Sequence, residues 1–169
     1  IEEEQVAVTL THLGYIKRIP ADTYKTQRRG GKGITGLTTR ENDFVKDLIM
    51  TSTLDYLMFF TNTGKAHKIK AYEIPEATRT AKGTPAVNFL NLMQRERITA
   101  VIPIQEFAED KYLIAVTKHG TIKKTALSNF DTNRKTGLIA MNLKDGDELI
   151  GIKETTGTNN VIIVTKMGK

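Results

Sequence analysis

The sequence predicts an all-β fold, a propeller-like disc built from repeated four-stranded blades. Three observations carry that expectation. First, a Thr-x-x-Gly motif returns at intervals of about fifty residues, the long end of the range for propeller-type repeats. Its copies are Thr11-His12-Leu13-Gly14, Thr61-Asn62-Thr63-Gly64, Thr117-Lys118-His119-Gly120 and Thr165-Lys166-Met167-Gly168. Second, each copy follows a short apolar run rich in Ile, Val, Thr, Tyr and Phe and bounded by turn residues, which is strand chemistry. Third, no window holds the apolar spacing of a long amphipathic helix.

The first blade is expected over residues 6–55. Val6 to Leu10 supplies a strand, and Gly14 supplies the left-handed position of a hairpin turn. A cation, Arg18, stands four residues after the glycine. Gly33 and the small Gly36 follow, and Leu48 to Met50 closes the unit. The second blade, 56–111, repeats the order with Tyr56 to Phe60, Gly64, Lys68, Gly83, Ala86 and the closing run Ile98 to Ile104. Asn91 to Arg97 is its one candidate for a helical turn. The third blade, 112–160, runs from Tyr112 to Val116 through Gly120, Lys124, Gly137 and Ala140 to Leu149–Ile152. Val161 to Val164 opens a fourth unit, so 161–169 is expected to be the start of a truncated blade. Residues 1–5, with Glu2-Glu3-Glu4 and no initiating Met, read as a linker from an upstream region. Three blades are fewer than the four to eight with which propellers usually close. The chain therefore reads as a fragment of a larger disc.

Composition narrows the function classes. A chain of 169 residues can bury a real core. It has no apolar run of membrane-spanning length and no signal-peptide pattern, so no membrane partner is expected. Without Cys it has neither disulfides nor thiolate metal sites. Its formal net charge is +6, and the distribution says more than the total. Tyr15 to Arg40 holds seven cations against Asp22. Gly64 to Lys82 holds five against Glu73 and Glu76, and Thr117 to Gly137 holds five against Asp131. The intervening segments lean acidic. The basic half therefore falls at the same place in each repeat. Blades packed side by side would align these halves into a basic rim, the footprint of a protein that follows a nucleic-acid backbone. The residues expected to form it are Lys17, Arg18, Lys65, Lys68, Arg79, Lys82, Lys123, Lys124, Arg134 and Lys135.

One stretch stands out within the first unit. Gln27-Arg28-Arg29-Gly30-Gly31-Lys32-Gly33 places three cations and three glycines in seven residues. Arginine presents a planar fork that matches phosphate, and glycine lets a backbone press close to a bulky partner. The heptad reads as a loop that grips a polyanion with side chains and main-chain N–H groups.

Catalytic motifs are wanting. Gly31-Lys32-Gly33-Ile34-Thr35-Gly36 matches G-x-G-x-x-G, but a strand-like Leu37-Thr38-Thr39 follows it where a dinucleotide fold needs a helix. No Walker-type phosphate loop exists. His12, His67 and His119 lack partners at metal-ligand spacing. Ser52 and Ser128 lack a nucleophile-elbow setting. Asp145-Gly146-Asp147 reads as a turn, too short for a calcium loop. Phe59, Phe60, Phe89, Phe107 and Tyr112 sit in or beside apolar runs and read as core. Stacking platforms are thus weakly supported, which favours a duplex backbone over splayed bases.

The heptad Gln27 to Gly33 resembles the gyrase-A box, which marks the C-terminal DNA-wrapping domain in the A subunit of bacterial DNA gyrase, a type IIA topoisomerase. Tyr15-Ile16-Lys17-Arg18-Ile19-Pro20 and the stretch from Arg28 to Thr39 resemble the first blade of that domain, and the repeat extends the resemblance over nearly all of the chain. The resemblance implies a β-pinwheel, a disc whose blades exchange hairpins. Such a disc bends duplex DNA around its outer rim, so that an ATP-dependent holoenzyme can introduce negative supercoils. It implies a non-catalytic part of that enzyme in the bacterial cytoplasm. The partners implied are duplex DNA, the gyrase B chain and the rest of the gyrase A chain. ATP and Mg2+ belong to other domains or subunits, with no cofactor in this segment. Family discs usually have about six blades, more than this chain supplies. The related disc of topoisomerase IV, which has a degraded or missing box, is the nearest alternative. A protein-interaction propeller, with an apolar or mixed face in place of a basic rim, is another.

Overall fold

The computed structural model describes residues 1–23 and 43–156. The heptad at 27–33 and the opening of the fourth unit at 161–169 lie outside the described residues. Within them the chain forms β1 (Gln5–Thr11), β2 (Tyr15–Pro20), β3 (Val45–Ser52), β4 (Tyr56–Thr61), β5 (Lys65–Lys70), β6 (Thr84–Pro85), β7 (Ile98–Ile104), β8 (Tyr112–Thr117), β9 (Ile122–Ala126), β10 (Leu138–Ile139) and β11 (Leu149–Thr155). Short 3-10 turns follow at Ala71–Glu73, Ala86–Asn88 and Leu127–Phe130.

These strands make three antiparallel sheets, in the orders β3-β1-β2-β6, β10-β5-β4-β7 and β11-β8-β9. Three of the expected hairpins lie among the described residues. In the turns at Thr11, Thr61 and Thr117 the glycine N–H donates to the threonine carbonyl at 3.0 Å. Gly14, Gly64 and Gly120 have φ of +91°, +85° and +90°, the region that favours a residue without Cβ. The sheets cut across the sequence repeats. β6 comes from the second unit but pairs with β2 of the first, Tyr15 opposite Pro85 and Ile16 opposite Thr84. β10 comes from the third unit and pairs with β5 of the second. Pro85 suits its place because an edge strand needs no donor on its outer side.

The sheets stack face to face with the middle one buried on both sides. Leu57 and Phe59 of β4 enter a core with Val6, Val8, Leu10 and Ile16 of the first sheet. Met58 and Phe60 enter a second core with Leu113, Leu127, Phe130 and Leu149 of the third unit. This explains why Tyr56 to Phe60 is an uninterrupted apolar run with no alternation: successive side chains point to opposite faces, and both faces are dry.

Each hairpin turn is tied down by an acid from the end of its own unit. Asp43 accepts from the N–H groups of Leu13 and Phe44, at 3.0 and 2.9 Å. Glu96 accepts from the Thr61 and Thr63 hydroxyls at 2.6 and 2.7 Å and from Met93 N–H at 2.9 Å. Asp147 accepts from His119 N–H at 2.9 Å and Glu148 N–H at 2.8 Å. Burial pushes all three carboxyls upward, but these hydrogen bonds outweigh it and hold them below their ordinary range. Asn91 to Arg97, a candidate helical turn on sequence, is instead an irregular turn in which Arg95 takes φ +68° and the N–H of Met93 closes on Glu96. Of its two apolar residues Leu92 packs against the first core while Met93 is exposed, so the run has no apolar stripe for a helix to bury.

Candidate nucleic-acid interface

Two basic segments cross the outer edges of the sheets. From the turn at Ala71–Glu73 the chain runs through 74–83 to β6, over the edge of β2. From the turn at Leu127–Phe130 it runs through 131–137 to β10, over the edge of β5. Backbone bonds tether both straps. Arg18 N–H donates to Pro75 and Ala77 N–H to Arg18, at 3.2 and 3.0 Å, and Lys68 N–H donates to Lys135 at 2.7 Å. Gly83 closes the first strap at φ +96°, where a Cβ would stand 2.7 Å from the carbonyl oxygen of Ile16. Its equivalent Gly137 has φ +67°. In the repeat register Gly33 corresponds to Gly83 and Gly137. The heptad 27–33 thus occupies the register of 77–83 and 131–137, and Arg29 and Lys32 fall level with Arg79 and Lys82.

The ten expected rim cations divide into three groups. Lys17 and Lys68 are not on an exposed rim: they are 1% and 2% exposed. Lys17 Nζ donates to the carbonyls of Thr78, Arg79 and Ala81 at 2.9, 2.5 and 3.0 Å. Burial, aided by the nearby Arg79 guanidinium, lowers its pKa to about 8. Lys68 Nζ donates to the carbonyls of Phe130 and Thr132 at 2.9 and 2.7 Å and lies 4.9 Å from the Phe107 ring centroid. Burial lowers its pKa as well, opposed by Asp131. Both lysines left the surface because the straps fold over them and offer carbonyls in place of water.

A second group is half-buried. Arg18 Nε donates to Ile74 at 2.9 Å. Lys65 begins β5 opposite Ile139. Arg79 and Lys82 ride on the first strap, Lys82 with its Nζ 4.1 Å from the Tyr15 ring centroid. The third group is exposed: Lys123 and Lys124 on β9, and Arg134 and Lys135 on the second strap. Lys124 Nζ lies 4.3 Å from the Tyr112 ring centroid, and Arg134 Nε donates to Thr136 within its own strap at 3.0 Å. The groups that sequence reasoning missed are the strap carbonyls, since main-chain acceptors leave no mark on residue type. The recurrence of a glycine and a cation pair at 77–83 was the available signal for the straps themselves. Cations held on braced loops at a sheet edge can bind a polyanion electrostatically. Among the described residues no group of three or more His, Asp or Glu could hold a metal ion, and no helix is long and apolar enough to cross a membrane.

A family model described as DNA gyrase C-terminal domain, beta-propeller, matches residues 6–52, 55–105 and 111–155. The chain is 54% identical over 168 residues to the A subunit of DNA gyrase from Clostridium acetobutylicum, covering 99% of this chain and 20% of that protein. It is 51% identical over 168 residues to the A subunit of DNA gyrase from Halalkalibacterium halodurans, with the same coverage of 99% and 20%. It therefore spans about a fifth of the length of the curated relatives it matches. The crystal structure of the C-terminal domain of DNA topoisomerase IV aligns with a TM-score of 0.79 at 29% identity, covering 94% of this chain and 48% of that one. The structure of a DNA gyrase A C-terminal domain aligns with a TM-score of 0.59 at 25% identity, covering 88% of this chain and 64% of that one.

Proposed function

This chain belongs to the DNA gyrase C-terminal domain family, and on that premise we propose that it binds duplex DNA along its cation-bearing straps and heptad and bends it around the disc. The wrapped duplex would present a crossing of fixed hand to the strand-passage machinery of gyrase, which uses ATP to introduce negative supercoils. The segment supplies geometry and electrostatics to that enzyme and no reacting group. Its partners are duplex DNA, the gyrase B chain and the rest of the gyrase A chain, in the bacterial cytoplasm. ATP and Mg2+ are held elsewhere in the holoenzyme. The observation that carries the reading is the family match over three consecutive units, in a chain that keeps all seven residues Gln27 to Gly33. The buried lysines, Lys17 and Lys68, are left out of the proposed contacts.

The alignment with the topoisomerase IV domain supports a second reading, DNA binding without strong wrapping. Supercoiling separates the two. In the complete holoenzyme, Arg28→Ala, Arg29→Ala and Lys32→Ala together should abolish negative supercoiling while relaxation persists. Binding should weaken but persist, because the remaining cations still supply electrostatic attachment, whereas wrapping is lost because a stiff duplex springs back when one clamp is lost. Normal supercoiling by the triple variant would remove the heptad from the mechanism. An unchanged plasmid linking number after relaxation and religation with unaltered protein bound would argue instead for a protein-interaction disc.

A further inference from the structure

We infer that the strap at 78–82 is a phosphate site built from main-chain N–H groups, and that Lys17 is the positioning residue that aims them. The inference rests on the DNA-binding reading above and names where one phosphate sits and what holds the site in shape.

Antiparallel pairing sets Thr9 opposite Lys17 and Val8 opposite Arg18. Neighbours on a strand point to opposite faces, so Arg18 and Lys17 grip the strap from the two sides of β2. Arg18 takes the carbonyl of Ile74 on the face shared with Val8. Lys17 takes those of Thr78, Arg79 and Ala81 on the other. An ammonium has three N–H bonds and no acceptor. All three are used, and the side chain is 1% exposed, so Lys17 has no donor left for a phosphate.

The same contact orients the strap. The chain has no cis peptide among the described residues. In a trans peptide the carbonyl of one residue points opposite to the N–H of the next. Three carbonyls drawn towards Lys17 therefore turn the N–H groups of Arg79, Thr80 and Lys82 away from it. Among the described residues none of these three N–H groups has a hydrogen-bond acceptor, whereas Ala81 N–H closes on Thr78. Arg79 and Lys82 place two cationic side chains on the same five residues. Successive outward N–H groups flanked by cations are the chemistry that binds an anionic oxygen, here a backbone phosphate of duplex DNA. The buried positive charge acts from behind, both by fixing the peptide planes and by adding to the local field.

The test uses the full-length gyrase A chain and a short duplex DNA. Hydrogen exchange of the amides of 79, 80 and 82 should slow when the duplex is added to unaltered protein. Arg79→Ala with Lys82→Ala should lower the slope of log affinity against log salt by about two, close to tenfold in affinity per lost contact at 0.1 M salt. Lys17→Met should reduce affinity comparably, although Lys17 touches no DNA, and should speed exchange across 78–82. Combining all three changes should add little. If duplex binds but the three amides stay unprotected, the site is wrong. The same holds if the effects of Lys17→Met and the double change simply multiply, because Lys17 then acts on its own. If the double change leaves DNA binding intact, the strap is not part of any DNA-binding surface and both readings of it fall. Should Lys17→Met fail to fold, the amide protection measured on unaltered protein still decides the matter.

Discussion

Gly83→Ala offers a sharp test of how the straps are seated, because the structure supplies its control. Both Gly83 and Gly120 hold a left-handed backbone, with φ of +96° and +90°. A residue with Cβ in that region costs about 1–2 kcal/mol. At Gly120 a Cβ would meet nothing within 4 Å, so that cost is the whole effect. At Gly83 the new carbon would stand 2.7 Å from the Ile16 carbonyl oxygen and 3.3 Å from Lys17 Cβ. These are the backbone and stem of the strand that the strap covers, and neither can swing aside. Forcing atoms into such a space adds about 1–3 kcal/mol. The expected losses are then about 1.5 kcal/mol for Gly120→Ala and about 3.5 kcal/mol for Gly83→Ala. For a chain of this length each kcal/mol lowers Tm by about 2–4 °C, so the shifts should be near 4 °C and 10 °C. Thermal unfolding of the two variants side by side, followed by far-ultraviolet circular dichroism, reads the difference. Equal shifts would mean that the strap does not press on β2, and the glycine would then answer only to its backbone angle.

Other outcomes follow from the same geometry. Phe59→Ala, in the core between the first two sheets, should cost about 3–5 kcal/mol in urea unfolding. Glu96→Gln replaces an acceptor that three donors share with an amide that presents its own N–H, and should cost about 1–3 kcal/mol. Asp43, Glu96 and Asp147 have folded-state pKa values below their ordinary ones. Their contribution to stability is therefore complete above the unfolded-state carboxylate value, about 4, and is lost as pH falls through the lower folded-state values. The urea midpoint should drop as pH falls below about 4, and less steeply in Glu96→Gln; parallel curves would remove that carboxylate from the acid response. Affinity for duplex DNA should fall linearly in log salt with slight sequence preference, and binding insensitive to salt up to physiological strength would refute an electrostatic rim.

Local chemistry was legible in the residues. The all-β fold and the hairpins could be read because each depends on neighbours in sequence: apolar runs for strands, and a glycine where the turn needs positive φ. Gly14, Gly64 and Gly120 take that conformation. Phe59 and Phe60 read as core from their apolar run, and both are fully buried. The helical turn expected at Asn91 to Arg97 failed because Glu96 is drawn to the hydroxyls of Thr61 and Thr63, more than thirty residues away.

The sequence by itself determined the strand-and-turn alphabet, the period of the repeat and the membership of the family. Only the tertiary structure decided which cations face solvent. Lys17 and Lys124 look alike in a list of charged residues, yet one is buried and the other exposed. The carbonyls that enclose Lys17 lie 61, 62 and 64 residues further along the chain, brought over it by a strap that belongs to the next repeat. Residue type states that a charge exists. Whether water or a ring of carbonyls solvates it depends on which distant backbone the fold sets beside it.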